Sequence, residues 1–70
     1  MTAEELYIKN IENGIRAIRL GTKKPSETLA PVNLNKLKQI NIGIYEDYLA
    51  KYKRVLADYN KRNQPKHSDV

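Results

Sequence analysis

Four tyrosines, Tyr45, Tyr48, Tyr52 and Tyr59, recur at intervals of three, four and seven residues in the second half of a 70-residue chain. At 100° per residue, that spacing puts all four on one side of a helix. The sequence has no Phe and no Trp, so these rings and Tyr7 carry all of its aromatic content. A phenol joins a large apolar ring to a hydrogen-bonding tip. A stripe of phenols therefore serves as the edge of a core with wet hydroxyls, or as a contact surface for another protein. Tyr45, Tyr48, Tyr52 and Tyr59 are the candidate partner interface.

Bond-making chemistry has no comparable foothold. There is no Cys, and the one histidine, His67, sits in a polar C-terminal stretch. Glu46 and Asp47 are adjacent, and neighbouring carboxylates on a helix point to different sides. The three glycines stand alone at 14, 21 and 43, so no glycine-rich loop can cradle a phosphate. The expectation is a non-enzyme with no catalytic residues, no cofactor, no metal site and no small-molecule substrate.

Charge offers a second kind of surface. The net charge is +5, and it is unevenly placed. Residues 1–22 are balanced and residues 23–47 carry a small positive excess, while most of the charge lies in residues 48–70. A basic helix bearing Lys51, Lys53, Arg54, Lys61 and Arg62 could bind the phosphates of a nucleic acid. Asp47 and Asp58 share the face of Lys51 and Arg54, however. The pairs Asp47–Lys51 and Asp58–Arg62 have the i,i+4 spacing of a solvated face laced with ion pairs. A second basic group, Lys23, Lys24, Lys36 and Lys38, forms one patch only if the loop folds beside the second helix. Lysines outnumber arginines nine to four, and Ile, Asn and Tyr are frequent. Their codons are mostly A/T-rich, which suggests an AT-rich bacterium, phage or mobile element as the source.

The elements that must position these groups are helical. "TAEE" at residues 2–5 fits a capping box, with Thr2 and Glu5 exchanging hydrogen bonds. Ile8, Ile11, Ile15 and Ile18 then fall within an arc of about 80°. Gly21 supplies a C-cap, so the spacing predicts a helix over 3–20. Pro25 and Pro31 discourage a helix through residues 21–33. "PSET" can start one short turn there, and Leu29 and Val32 are the expected anchors of this loop to the core. From Ile44 to Tyr59, eight apolar or aromatic residues span about 140° of a helical wheel.

"QINIGIY" at residues 39–45 decides the architecture. Its alternating isoleucines mimic a strand, but a lone strand would leave its backbone groups unpaired. Asn41 is a good N-cap, Ile40 and Tyr45 are placed as a hydrophobic staple, and Glu46 and Asp47 suit a helix first turn. A break is therefore preferred to a through-helix. The predicted fold is all-α, three helices at about 3–20, 33–41 and 43–62. The alternative is a two-helix hairpin whose long second helix dimerises, with Asn41 on its seam.

Residues 1–62 are read as one domain and 63–70 as a flexible tail. A chain this short builds a small core, and with no disulfide, self-association as a homodimer is a natural source of extra stability. No apolar run approaches the roughly 18 residues that cross a bilayer. "MTAEELYIKN" lacks the features of a secretory leader, so a cytoplasmic protein is expected. The functional expectation is a small protein-interaction module, a regulator, inhibitor or adaptor, that binds a partner protein or itself. The alternative is nucleic-acid binding through the basic C-terminal helix.

Overall fold

The computed structural model describes residues 1–62. Three helices follow one another up, down and up: α1 (Ala3–Leu20), α2 (Ala30–Ile40) and α3 (Ile42–Arg62). A single 3-10 turn, Pro25–Glu27, lies in the α1–α2 connection. The predicted tail at 63–70, including His67, lies outside the described residues. Among the described residues, no helix is long and apolar enough to cross a membrane.

α1 begins and ends where its local signals say. The Glu5 N–H donates to Thr2 Oγ1 at 3.1 Å, and the Thr2 N–H donates to Glu5 Oε1 at 2.8 Å. Gly21 takes a φ of 78°, which lets the Gly21 N–H reach the Ile18 carbonyl and the Thr22 N–H reach that of Ala17. This pair of bonds satisfies carbonyls that a helix end otherwise leaves open.

α2 starts three residues earlier than the sequence reading placed it. Pro31 falls in the first turn, where its missing N–H has no intrahelical partner to lose. Thr28 prepares that start: its hydroxyl donates to the Pro25 carbonyl and accepts from the Ala30 N–H. The earlier start also overturns the expected anchors. Residues 30, 33, 34 and 37 now face inward, and Val32 is turned about 150° from them. Leu29 and Val32 are more than half exposed, whereas Ala30 is fully buried. Ala30 packs so closely on α1 that a Cβ built on Gly14 would lie 2.9 Å from the Ala30 Cβ. Three residues further along, Asn33 is buried and joins the helices: its Oδ1 accepts from Asn10 Nδ2 at 3.2 Å, and its Nδ2 donates to the Leu29 carbonyl.

The break is real, and Asn41 makes it. Its backbone is extended (φ −157°, ψ 90°), and its Oδ1 accepts from the Ile44 N–H at 3.2 Å. Gly43 is not the joint; it sits inside the first turn of α3 with an ordinary negative φ. Glu46 and Asp47 consequently lie just beyond that first turn, not in it. The long second helix of the hairpin alternative does not form.

All three helices contribute to one core. Ile11, Ile15 and Ile18 meet Ala30, Leu34 and Leu37, with Tyr52 and Val55 closing the third side. Contacts fix the relative directions. Residues 14, 10 and 7 of α1 lie opposite 30, 33 and 36 of α2, so this pair is antiparallel. α3 turns back again, from Glu4···Asn41 at one end to Ile18···Arg62 at the other, and runs parallel to α1. α2 is about 16 Å long and α3 about 31 Å at 1.5 Å per residue, so the second half of α3 packs chiefly on α1.

Candidate functional site

The tyrosine stripe is largely absorbed by the chain's own packing. Tyr52 is only 8 % exposed, and burial alone raises the pKa of its phenol. Tyr45, Tyr48 and Tyr59 are half-buried against the same core. Tyr45 and Tyr48 are each covered by a lysine. The Lys38 ammonium lies 5.7 Å from the ring centre of Tyr45, and that of Lys51 lies 4.7 Å from Tyr48. Lys36 stands in the same way over Tyr7 on α1. Contacts of this kind hold a cation over the negative face of a ring. Lys36 and Lys38 flank Leu37 at about 100° on either side. One therefore reaches α1 and the other α3. That spacing was present in the sequence, as a signal that the lysines belong to the packing.

Tyr48 has the most developed surroundings. Its hydroxyl donates to Glu12 Oε2 at 2.6 Å across the α1–α3 seam. The bond to a carboxylate favours the protonated phenol, and burial and the nearby negative charges of Glu12 and Asp47 add to it. Together they push its pKa up to about 12. A phenol so held stays protonated at neutral pH, the opposite of what a nucleophile or general base requires. Tyr48 ties α1 to α3 across that seam. Glu46 and Asp47 are exposed on α3. Among the described residues, no group of three or more acidic or histidine side chains is placed to hold a metal ion.

The basic residues divide. Arg62 bends back onto α1, with Nη1 donating to the Arg19 carbonyl at 3.3 Å and Nη2 to the Ile18 carbonyl at 3.2 Å. It caps the negative end of that helix from another element, where a cation is favoured. Lys51 lies over its ring, while Lys53, Arg54 and Lys61 are exposed. The lysines at 23, 24, 36 and 38 do not form one patch. Lys36 lies opposite Tyr7, whereas Lys23 and Lys24 follow the end of α1, roughly 20 Å away along the helix.

An apolar corner, by contrast, was not foreseen. Ile40 and Ile42 flank Asn41 where α2 meets α3, and each is 53 % exposed. Asn41 Nδ2 reaches Glu4 Oε1 at 3.4 Å, which draws this corner to the first turn of α1. Leu6, also exposed, belongs to the same end. The strand-like alternation that made "QINIGIY" conspicuous thus marks two aliphatic side chains left outside and a third, Ile44, packed against the core.

No protein-family model, no curated protein and no solved structure matches this chain.

Proposed function

We propose that the chain is a small non-enzymatic protein-interaction module, a regulator, inhibitor or adaptor, that acts by binding a partner protein or a second copy of itself. The exposed aliphatic corner carries this reading. Helix junctions are ordinarily polar, because their backbone groups need water or a cap. Here the cap is a side chain, Asn41, and branched aliphatic residues stand on both sides of it. Ile40 and Ile42, with Leu6 at the same end, supply the apolar centre that a protein contact needs, and the half-buried Tyr45 extends it with an amphipathic ring. The contact surface therefore moves from the tyrosine stripe to the α2–α3 corner.

The double substitution Ile40→Glu/Ile42→Glu tests this. Both side chains point outward, so each change should alter stability by no more than about 0.5 kcal/mol. The wild-type chain is expected to self-associate in sedimentation at two concentrations, or to retain a defined protein that the variant loses when both are used as bait. A monomeric wild-type chain whose captured proteins are the same as those of the variant would refute the reading.

A further inference from the structure

The parallel run of α1 and α3 has a consequence at the opposite end of the molecule. Their C-terminal turns converge there, and cations from three separate stretches of sequence meet. One open depression along the seam is walled by Arg16, Arg19 and Lys51, with Glu12 at its edge. The next is walled by Arg19, Lys61 and Arg62, with Asp58. A third carries Lys23 and Lys24 beside Tyr59 and is again bordered by Arg62. Arg19 borders the first two and Arg62 the last two, so the depressions follow one another as a groove along the seam and round its end. Among the described residues, seven cations line it against two carboxylates. One of those carboxylates, Glu12, is already engaged by the Tyr48 hydroxyl.

We infer that this groove binds the phosphodiester backbone of a nucleic acid, without regard to base sequence. Lys51 and Lys61 are ten residues apart on α3, about 15 Å, the length of four to five base pairs at about 3.4 Å each along the axis of a duplex. Helix C-termini normally repel anions. At α1 that objection is removed, because the carbonyls of Ala17, Ile18 and Arg19 already accept from the Gly21 and Thr22 N–H groups and from Arg62. An acidic peptide is a poorer occupant. Tight protein contacts need exposed apolar anchors; of the apolar residues in the walls, Ile15 and Val55 are each only 6 % exposed and Tyr48 and Tyr59 are half-buried against the core. Among the described residues, no Asn or Gln lines the groove to read adenine edges. The groove differs from the basic-helix reading of the sequence. It adds residues 16, 19, 23 and 24 and leaves out Lys53 and Arg54. It is independent of the aliphatic corner.

Fluorescence anisotropy with a labelled 20-base-pair duplex and the matching single strand tests the site. The wild-type chain is expected to bind with a Kd of about 1–100 µM at physiological salt, and its affinity should fall roughly 100-fold between 50 and 200 mM salt, as for about four phosphates whose counterions are released. Arg16→Glu/Lys61→Glu should weaken binding by about 30-fold or more, and the milder Arg16→Gln/Lys61→Gln by a smaller factor in the same direction. Lys9→Glu/Lys53→Glu makes the same change in net charge outside the groove and should cost no more than about 3-fold. Circular dichroism confirms that each variant is helical. Ile40→Glu/Ile42→Glu should bind the duplex nearly as wild type, which separates this site from the corner. The inference is overturned by the absence of binding at low salt, by equal losses in the two Glu double variants, or by labelled poly-glutamate binding as tightly as the duplex.

Discussion

The Tyr48 hydroxyl on α3 donates a hydrogen bond to Glu12 on α1 at 2.6 Å, and this bond ties the two parallel helices together across their exposed seam. The folded phenol, at about 12, holds its proton more tightly than an unfolded one at about 10. The contribution is therefore complete below pH 10 and is lost as pH rises through about 12. Thermal unfolding followed by circular dichroism should show a midpoint that drops between pH 10 and pH 12. In Tyr48→Phe that drop should be shallower, with the burial-raised Tyr52 left as a remaining source. At pH 7 the same variant should lose about 1 kcal/mol or less, since the bond is exposed.

Gly14 and Gly43 are both helical glycines, yet alanine should act oppositely at the two. At position 14 a Cβ would lie 2.9 Å from that of Ala30 and 3.1 Å from that of Thr28. The gain in helix propensity, about 1 kcal/mol at most, is outweighed by pushing α1 and α2 apart, so Gly14→Ala should destabilise by about 1–3 kcal/mol. At position 43 the nearest atom is Asn41 Oδ1 at 3.7 Å, an ordinary contact. Gly43→Ala should therefore stabilise by about 0.5 kcal/mol. Urea unfolding of both variants decides it; a stabilised Gly14→Ala would show that the helices do not meet there.

The limits of α1 and the α2–α3 break were legible because their causes are local. Thr2 and Glu5 are one turn apart, Gly21 follows the last apolar residue, and Asn41 caps from within the break itself. The start of α2 was not legible. Pro31 is a breaker in a helix interior and a good residue in a first turn, and nothing nearby distinguishes the two. What decides is tertiary: Ala30 fits against Gly14, sixteen residues back. The tyrosines illustrate the same limit. Periodicity put them on one face, but only the packing of three helices sends Tyr52 inside and leaves Tyr45, Tyr48 and Tyr59 at the edge. The basic groove depends on α1 and α3 running parallel, which joins residues 16–24 to residues 51–62. No pattern within either stretch reports that pairing.

Asn33 is the buried polar residue of the α1–α2 contact, and it is satisfied on both sides. Asn33→Ala removes two hydrogen bonds and leaves the Asn10 amide without its partner, while the Leu29 carbonyl keeps its bond from the backbone N–H of residue 33. A loss of about 1–3 kcal/mol is expected in chemical denaturation. Adding Asn10→Ala should cost less than it does in the wild-type background, because its partner is already gone. Additive losses in that double-mutant cycle would show that the two amides are not coupled.

Asn41 holds the corner in two ways, and they can be separated by substitution. Its Oδ1 caps α3 through the Ile44 N–H, and its Nδ2 reaches Glu4 on α1. Asn41→Asp keeps the capping oxygen but places a second carboxylate opposite Glu4. Asn41→Ala removes both interactions and should lose about 1 kcal/mol, a typical cost for an N-cap. If the cap dominates, Asn41→Asp at pH 7 should retain most of the wild-type stability, and adding Glu4→Gln should restore the rest. Asn41→Gly should fall between Ala and wild type, because glycine adopts the extended backbone of a cap more readily. A variant set in which Asp is as damaging as Ala, with no rescue by Glu4→Gln, would show that the extended backbone at 41 is held by the surrounding packing. The side chain that interrupts the helix would then not be the cause of the interruption.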